Sequence, residues 1–280
     1  MTQVLQRKKR IPEVDSVIAN LGKRTLVMGI LNVTPDSFSD GGKYNQVDRG
    51  LAHAHSMVES GADLIDVGAE STRPDHLPVS AQDEWERLDA LLPALRAEIP
   101  IPLSIDTYKA EVAWRAVASG VDIINDVWGG VYDPEMFDIV AQTGVPYILM
   151  HNTMGLPQIE EDIVDAVYRF FTEQMNKAIK AGVKRQQIIL DPGVGFGKTV
   201  LQNLQLINRL DAFLSLGQPL LIGTSRKSVI GSVLNLPVSE RIEGTAATVA
   251  IAIARGADIV RVHDVKEIVR VVKMTDSMVR

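Results

Sequence analysis

Asp106, Asn125, Asp191 and Lys227 offer planar acceptors and one cationic donor. That set matches the edge of a heterocycle with an amide and an exocyclic amine. Carboxylates accept from ring N–H and amino groups, and a lysine donates to a ring carbonyl or nitrogen. A second set, Arg73, Arg261 and His263 with Asn32 and Thr72, offers hydrogen-bond donors and a metal-binding oxygen. It suits a phosphate or diphosphate, which arginine can grip through two parallel bonds. Mg2+ takes oxygen ligands; Asn32 would supply one, with waters and phosphates filling the rest of the shell. A third feature is a short apolar run, Met28 to Leu31, that stops at a polar loop ending in Gly41-Gly42. The loop packs Asn32, Asp36, Ser37, Phe38, Ser39 and Asp40 closely together. A solvent loop with no task rarely carries Phe between serines, so it reads as a site loop able to bind metal and cover a ligand.

The elements that must position these groups alternate regularly. Short runs rich in Val, Ile and Leu read as buried parallel strands, and amphipathic stretches between them read as helices. The predicted strands are 25–31, 64–67, 102–105, 122–125, 146–150, 187–190, 219–223 and 258–262. The predicted helices are 48–60, 82–98, 109–118, 135–142, 162–181, 200–210, 240–254 and 265–277. Gly61, Gly120, Gly144, Gly182 and Gly256 each follow a predicted helix and precede an apolar restart, as left-handed helix caps do. Eight strand–helix units over about 250 residues match an α/β protein of the (β/α)8 TIM-barrel type, in a single domain. A doubly wound open sheet is the other arrangement the alternation allows. Residues 1–24 read as a short N-terminal extension, a hairpin or helix closing the barrel bottom, and 25–280 as the barrel.

In this reading every unit delivers polar groups at its strand's C-terminal end, the rim on which barrel enzymes build their sites. A single Asp or Asn after a strand is often only a helix cap. Eight such coincidences around one opening, with lysine, arginines, a histidine and three aspartates among them, are not explained by capping.

Composition bounds the alternatives. The hydrophobic fraction is 46% and the charged fraction 23%, which fits a globular protein with a sizeable core. The net charge of −6 argues against non-specific nucleic-acid binding, though not against a small anion met by local cations. The absence of cysteine removes disulfides, thiolate zinc sites and cysteine nucleophiles together. No apolar segment follows Lys8-Lys9-Arg10, so a signal peptide is not expected, and no apolar stretch approaches the ~20 residues that span a bilayer. The expected location is cytoplasmic.

Glu70-Ser71-Thr72-Arg73-Pro74, Ser104-Ile105-Asp106-Thr107, Asn125-Asp126, the Asp191–Phe196 stretch, Ser225-Arg226-Lys227-Ser228 and Arg261-Val262-His263-Asp264-Val265, with the loop after Met28, together resemble the dihydropteroate synthase family. The motifs run in order from about residue 25 to about residue 275. The resemblance implies a folate-pathway transferase that condenses p-aminobenzoate with a dihydropterin methyl diphosphate and releases diphosphate. It implies that Asp106, Asn125, Asp191, Lys227 and Arg261 hold the pterin. Asn32, Thr72, Arg73, Arg261 and His263 would hold diphosphate, with Asn32 on Mg2+. Phe38, Thr72, Pro74, Phe196, Lys227 and Ser228 would surround the aminobenzoate. Lys227, Arg261, His263 and Asp40 would be the groups closest to the chemistry, and a homodimer is implied. Asp75, Thr153 and Val229 depart from the family's usual residues, and Asp75 and Val229 put sulfonamide response in question rather than reaction type. A pterin-binding methyltransferase and a non-catalytic pterin-binding protein are the competing readings. The first does not need the Arg73, Arg261 and His263 cluster, and the second does not need intact Asn32 and Lys227.

Other signals carry less. Gly193-Val194-Gly195-Phe196-Gly197-Lys198-Thr199 fails as a P-loop because Pro192 stands where that motif needs glycine. Lys198 reads as a loop residue bordering the site. His53 and His55 lie two apart on a helix and face different directions. His76 is unassigned. His151 fits a rim role or a satisfied structural histidine equally, Met150 fits a pocket wall or plain packing, and Trp85, Trp114 and Trp128 read as packing.

Overall fold

The computed structural model describes residues 21–33, 43–70 and 78–280. Eight parallel strands form one sheet: β1 (Leu26–Asn32), β2 (Leu64–Gly68), β3 (Leu103–Asp106), β4 (Ile123–Asp126), β5 (Tyr147–Met150), β6 (Ile188–Asp191), β7 (Leu221–Ile222) and β8 (Ile259–Val262). Neighbours in sequence are neighbours in space from β1 to β6, and β1 also pairs with β8, which pairs with β7. A single bridge, Leu190 to Leu220, with a 2.9 Å bond from Leu190 N–H to Pro219 C=O, brings β6 against β7 and closes the ring.

The helices are α1 (Lys43–Glu59), α2 (Ala81–Leu88), α3 (Leu91–Glu98), α4 (Ala110–Ala118), α5 (Met136–Thr143), α6 (Ile163–Lys180), α7 (Val200–Asn208), α8 (Ser228–Leu234), α9 (Ile242–Ala254) and α10 (Val265–Val279). All five predicted glycine caps have positive φ, between 63° and 102°. The main core lies between sheet and helices. A second cluster, Leu26, Met28, Leu64, Ile123, Ile148, Ile189, Leu221 and Ile259, fills the barrel interior. Strand side chains alternate with period two, so these residues fix the parity of each inward face. Two residues further along that face the chemistry changes: Leu64 gives way to Asp66, Ile123 to Asn125, Ile189 to Asp191 and Ile259 to Arg261. The polar floor of the mouth is therefore one layer above an apolar plug.

The structure corrects several boundaries. Seven of the eight strands start one or two residues later than predicted and five end one residue later, so Asn32, Asp106 and Asp191 are last strand residues and not the first loop residues. β7 shrinks from 219–223 to two residues. The predicted helix 82–98 is two, α2 and α3. Pro93 has no N–H, and its ring would clash with a carbonyl four residues back; a fresh start at Leu91 puts it in a first turn, where neither matters. The seventh unit also has the short helix α8 before α9, and a 3-10 segment, Leu210–Leu216, follows α7. Among the described residues no helix is long and apolar enough to cross a membrane. Phe38, Asp40, Thr72, Arg73, Pro74, Asp75, His76 and the first twenty residues lie outside the described residues.

Candidate active site

The mouth is organised by one guanidinium. Arg261, on β8, donates from Nε to Asp66 Oδ2 at 2.6 Å and from Nη2 to Asp106 Oδ2 at 2.7 Å. Asn125 on β4 donates from Nδ2 to the same Asp66 oxygen at 3.0 Å. Four strands are thus tied across the opening by their inward side chains. Asp66 is fully buried, and Asp106, Asn125 and Asp191 are nearly so. A buried ion pair of this kind is costly to break from one side, by about 3–5 kcal/mol, because the surviving charge is left alone.

The charges are not balanced. Burial pushes the Asp106 carboxyl up to about 7; Arg261 pulls it down and Asp66 pushes it further up. Burial also raises Asp191, against the pull of Lys227 and the 2.8 Å bond from Gly193 N–H. Burial lowers the Arg261 guanidinium, but Asp66 and Asp106 more than restore it, so it stays charged. Among the described residues, four buried polar atoms at this level find no hydrogen-bond partner: Asp66 Oδ1, Asp106 Oδ1, Ser104 Oγ and His151 Nδ1. Buried polar groups without partners are rare and cost about 1–3 kcal/mol each, so a donor-rich ligand edge placed here would recover free energy.

Lys227 enters from the β7 side. Its ammonium donates to Val194 C=O and stands 4.5 Å from the centroid of the Phe196 ring. Burial brings it down to about 8, with Asp191 opposing. The loop that carries it is locked from outside. Arg226, at φ 57°, pairs through Nε and Nη2 with both oxygens of Asp264, its backbone N–H reaches Thr245 Oγ1 at 3.1 Å, and its carbonyl accepts from Arg241. The apolar wall of the mouth is Tyr108, Val127, Met150 and Phe196, with Trp128 and Met154 against it. Met150 is buried within that cluster.

His263 faces Ser225: both its backbone N–H and ring Nδ1 lie 3.1 Å from Ser225 Oγ, which leaves Nε2 for another partner. The residue as a whole is exposed. Enclosure of its ring, then Arg261 and Arg226, push it down to about 4, so it is neutral near pH 7. Asn32 is exposed at the end of β1. A Cβ added at Gly68 would lie 3.6 Å from both Asn32 Oδ1 and Asp106 Oδ2, so the missing side chain keeps this corner open between them. Ser228 is exposed at the start of α8, with Lys227 as the residue before the helix.

Of the expected site residues, the structure gathers Asp106, Asn125, Asp191, Lys227, Arg261 and Phe196 into one mouth, with His263, Asn32 and Ser228 at its margins. Asp66 is the residue that sequence reasoning left out of the binding sets. The signal was there: it shares a strand face with Leu64, and a carboxylate on an inward face needs a cation. Ser225 was quoted only within a motif and proves to be the partner of His263. Asp126 is not a ligand group; it accepts from Trp128 N–H, Gly130 N–H and Tyr147 OH, and burial raises it to about 6. Val229 is buried in the sheet–helix core. His151 is buried edge-to-face on Phe170 and pushed by burial to about 3, but its Nδ1 has no partner among the described residues, so it is buried without being a fully satisfied structural histidine.

Comparison with known proteins places this geometry. The family described as "Pterin binding enzyme" matches residues 28–263. The dihydropteroate synthase of Clostridium beijerinckii is 51% identical over 93% of this chain and 97% of its own length. That of Bacillus subtilis is 50% identical over 91% and 89%. Among solved structures, dihydropteroate synthase from Clostridium difficile in the presence of pteroic acid superposes with a TM-score of 0.90 at 48% identity, covering 93% of this chain and 99% of that one. The Xanthomonas albilineans enzyme with 4-aminobenzoic acid gives 0.87 at 41% identity, covering 91% and 93%.

Proposed function

This chain belongs to the pterin-binding enzyme family, among the dihydropteroate synthases, and from that premise we propose how its residues share the reaction. The reaction joins the arylamine nitrogen of p-aminobenzoate to the methylene of a dihydropterin methyl diphosphate, and diphosphate leaves. The methyltransferase and non-catalytic readings give way to this one.

Asp106, Asn125, Asp191 and Lys227 take the pterin edge. The observation that carries this is the convergence of three inward-facing acceptor residues and one ammonium above an apolar plug, with unpaired carboxylate oxygens on Asp66 and Asp106. The ring would lie against the Met150, Val127 and Phe196 wall. Arg261 stays charged and stands between the pterin floor and the rim. With Asn32, Thr72, Arg73 and His263 it would meet the diphosphate. His263 is neutral without ligand; a diphosphate beside it would raise its pKa, as a nearby opposite charge does, so that Nε2 could take up the proton the arylamine nitrogen gives up when its bond to the methylene forms. Phe38, Thr72, Pro74, Phe196, Lys227 and Ser228 would surround p-aminobenzoate, with Asp40 close to the reacting centre.

Mg2+ is the implied metal. The described residues hold no cluster of three or more metal-binding side chains. Asn32 offers a single exposed oxygen, which fits an ion held mainly by phosphate oxygens and water. When bound it would neutralise charge growing on the diphosphate. The pterin methylene left behind is conjugated with an electron-rich ring, so a cation there is stabilised and suits a weak arylamine nucleophile. The residues need only orient the two partners and keep water away.

The test combines purified protein, Mg2+, the pterin diphosphate and p-aminobenzoate. Dihydropteroate and diphosphate should form together. Diphosphate release indifferent to p-aminobenzoate, with no dihydropteroate, would overturn the assignment. A cytoplasmic location and a homodimer complete the proposal. Leu201, Val233, Ile251 and Met274 are exposed on the neighbouring helices α7, α8, α9 and α10, an apolar surface a second copy would cover; a sedimentation mass equal to the 30.6 kDa protomer would rule the dimer out.

A further inference from the structure

Lys198 is a half-buried ammonium with no direct carboxylate contact among its described bonds; burial pulls it down to about 7, with Asp191 opposing. Its ammonium donates to three backbone carbonyls, Gly193 at 2.8 Å and His151 and Phe196 at 3.1 Å each. Three donors meet three acceptors, which is the full hydrogen-bonding capacity of an ammonium. Two of those carbonyls belong to the loop after β6 and the third to the end of β5. The loop between them has no regular structure and passes through positive φ at Gly193, Gly195 and Gly197, so it has little local preference for one shape. Yet it presents two things to the site: Val194 C=O, which accepts from Lys227, and the Phe196 ring beneath that same ammonium.

We infer that Lys198 is a positioning residue, an internal cation that shapes the 193–197 loop so that Val194 and Phe196 can fix Lys227 on the aminobenzoate side. The inference rests on the pterin and aminobenzoate assignment made above. Two further contacts fit this role. Thr153 Oγ1, from the β5 loop, donates to Phe196 or Gly197 C=O at 3.3 and 3.2 Å, and Asn203 Oδ1 accepts from Gly195 N–H at 2.7 Å. Each of these holds one stretch of the loop; among the described residues Lys198 joins Gly193 and Phe196 C=O of the loop to His151 C=O after β5. A neutral side chain of similar length would leave His151 C=O without a donor among the described residues and reduce Gly193 and Phe196 C=O to one bond each, from Phe196 N–H and Thr153 Oγ1. The loop would relax, and Lys227 would lose its seat.

The test is Lys198→Met, with a readout that needs no substrate. Amides of Gly193, Gly195 and Phe196 are hydrogen-bonded in the native loop. Their hydrogen exchange should speed up about tenfold or more in the variant, while the β3 and β4 amides stay as they are. In steady state the KM for p-aminobenzoate should rise about tenfold; affinity for the pterin diphosphate should fall by less, because Lys227 is only one of its four proposed edge contacts and Asp106 and Asn125 are untouched. Lys198→Ala supplies the second arm: n-propylammonium should restore loop protection and KM, and n-propanol, of like size but uncharged, should not. Native exchange rates and native KM in Lys198→Met would overturn the inference, as would equal rescue by the alcohol. If Lys198→Met does not fold, the alanine variant decides: failure of propylammonium to restore the loop overturns it. A wild-type protein that makes no dihydropteroate would instead sink the functional assignment, leaving the exchange result to stand by itself.

Discussion

At the scale of single residues, Asp106 states the design most directly. It is buried, shares Arg261 with Asp66, and keeps one oxygen without a partner. Its carboxyl sits at about 7 in the ligand-free protein, above its ordinary value of 3.8. A folded-state pKa raised in this way gives stability that is fully present below about pH 4 and lost as pH rises through about 7. Asp106→Asn removes that dependence. Relative to the variant, the native protein should be more stable at pH 5 than at pH 8, as read by urea unfolding at both. His151 and His263 titrate in the opposite sense in both proteins and cancel in the difference. Pterin binding should run the other way. The ring's N–H groups need the ionised carboxylate, so native affinity falls as pH drops below about 7, and the variant binds weakly and with a flatter profile. Parallel pH profiles for the two proteins would show that Asp106 does not meet the pterin. Residue types were enough to mark Asp106, Asn125, Asp191 and Lys227 in the sequence as a set, and the structure brings them to one mouth. They were not enough for Asp66, because a carboxylate whose task is to hold an arginine 195 positions away has no local signature.

At the scale of elements, repetition made the fold legible. Eight apolar runs and five glycine caps marked the units. What repetition could not reveal was where a strand yields to its loop, since the last strand residue and the first loop residue can be the same polar type. Pro93 split a helix for a backbone reason that hydrophobic periodicity does not register. The loop after β6 shows how much a single backbone position can decide. A Cβ at Gly193 would stand 1.9 Å from His151 C=O, at φ 68°. At Gly217, φ 67°, it would meet nothing within 4 Å. Gly217→Ala should cost only the left-handed strain, about 1–2 kcal/mol. Gly193→Ala adds a clash of backbone on backbone, and should cost clearly more and abolish turnover. Thermal melts and steady-state rates on the pair separate the two terms; equal losses would mean that the loop moves aside freely.

At the scale of the whole molecule, the two halves of the site have different supports. The proposed pterin floor belongs to strands whose opposite faces are the main core, so it is as rigid as the barrel. The proposed aminobenzoate side belongs to loops held by side chains: Lys198 within one, Arg226 with Asp264 across another. The ring itself is uneven. Every neighbouring pair of strands shares a ladder except β6 and β7, which meet at one bridge. Local opening follows the fewest bonds, and low-stability regions part before the rest. That seam divides Asp191 from the loop bearing Lys227. On warming, the two sides of the pocket should separate while the remaining seven ladders still give a native circular dichroism signal. Half-inactivation measured by brief heating and immediate assay at temperature should therefore come several degrees below the melting midpoint. Bound pterin, touching both sides, should close the gap; coincident curves with and without it would mean that the ring melts as one. In storage or in a warming host, such a catalyst would fall silent while still folded and would recover on cooling.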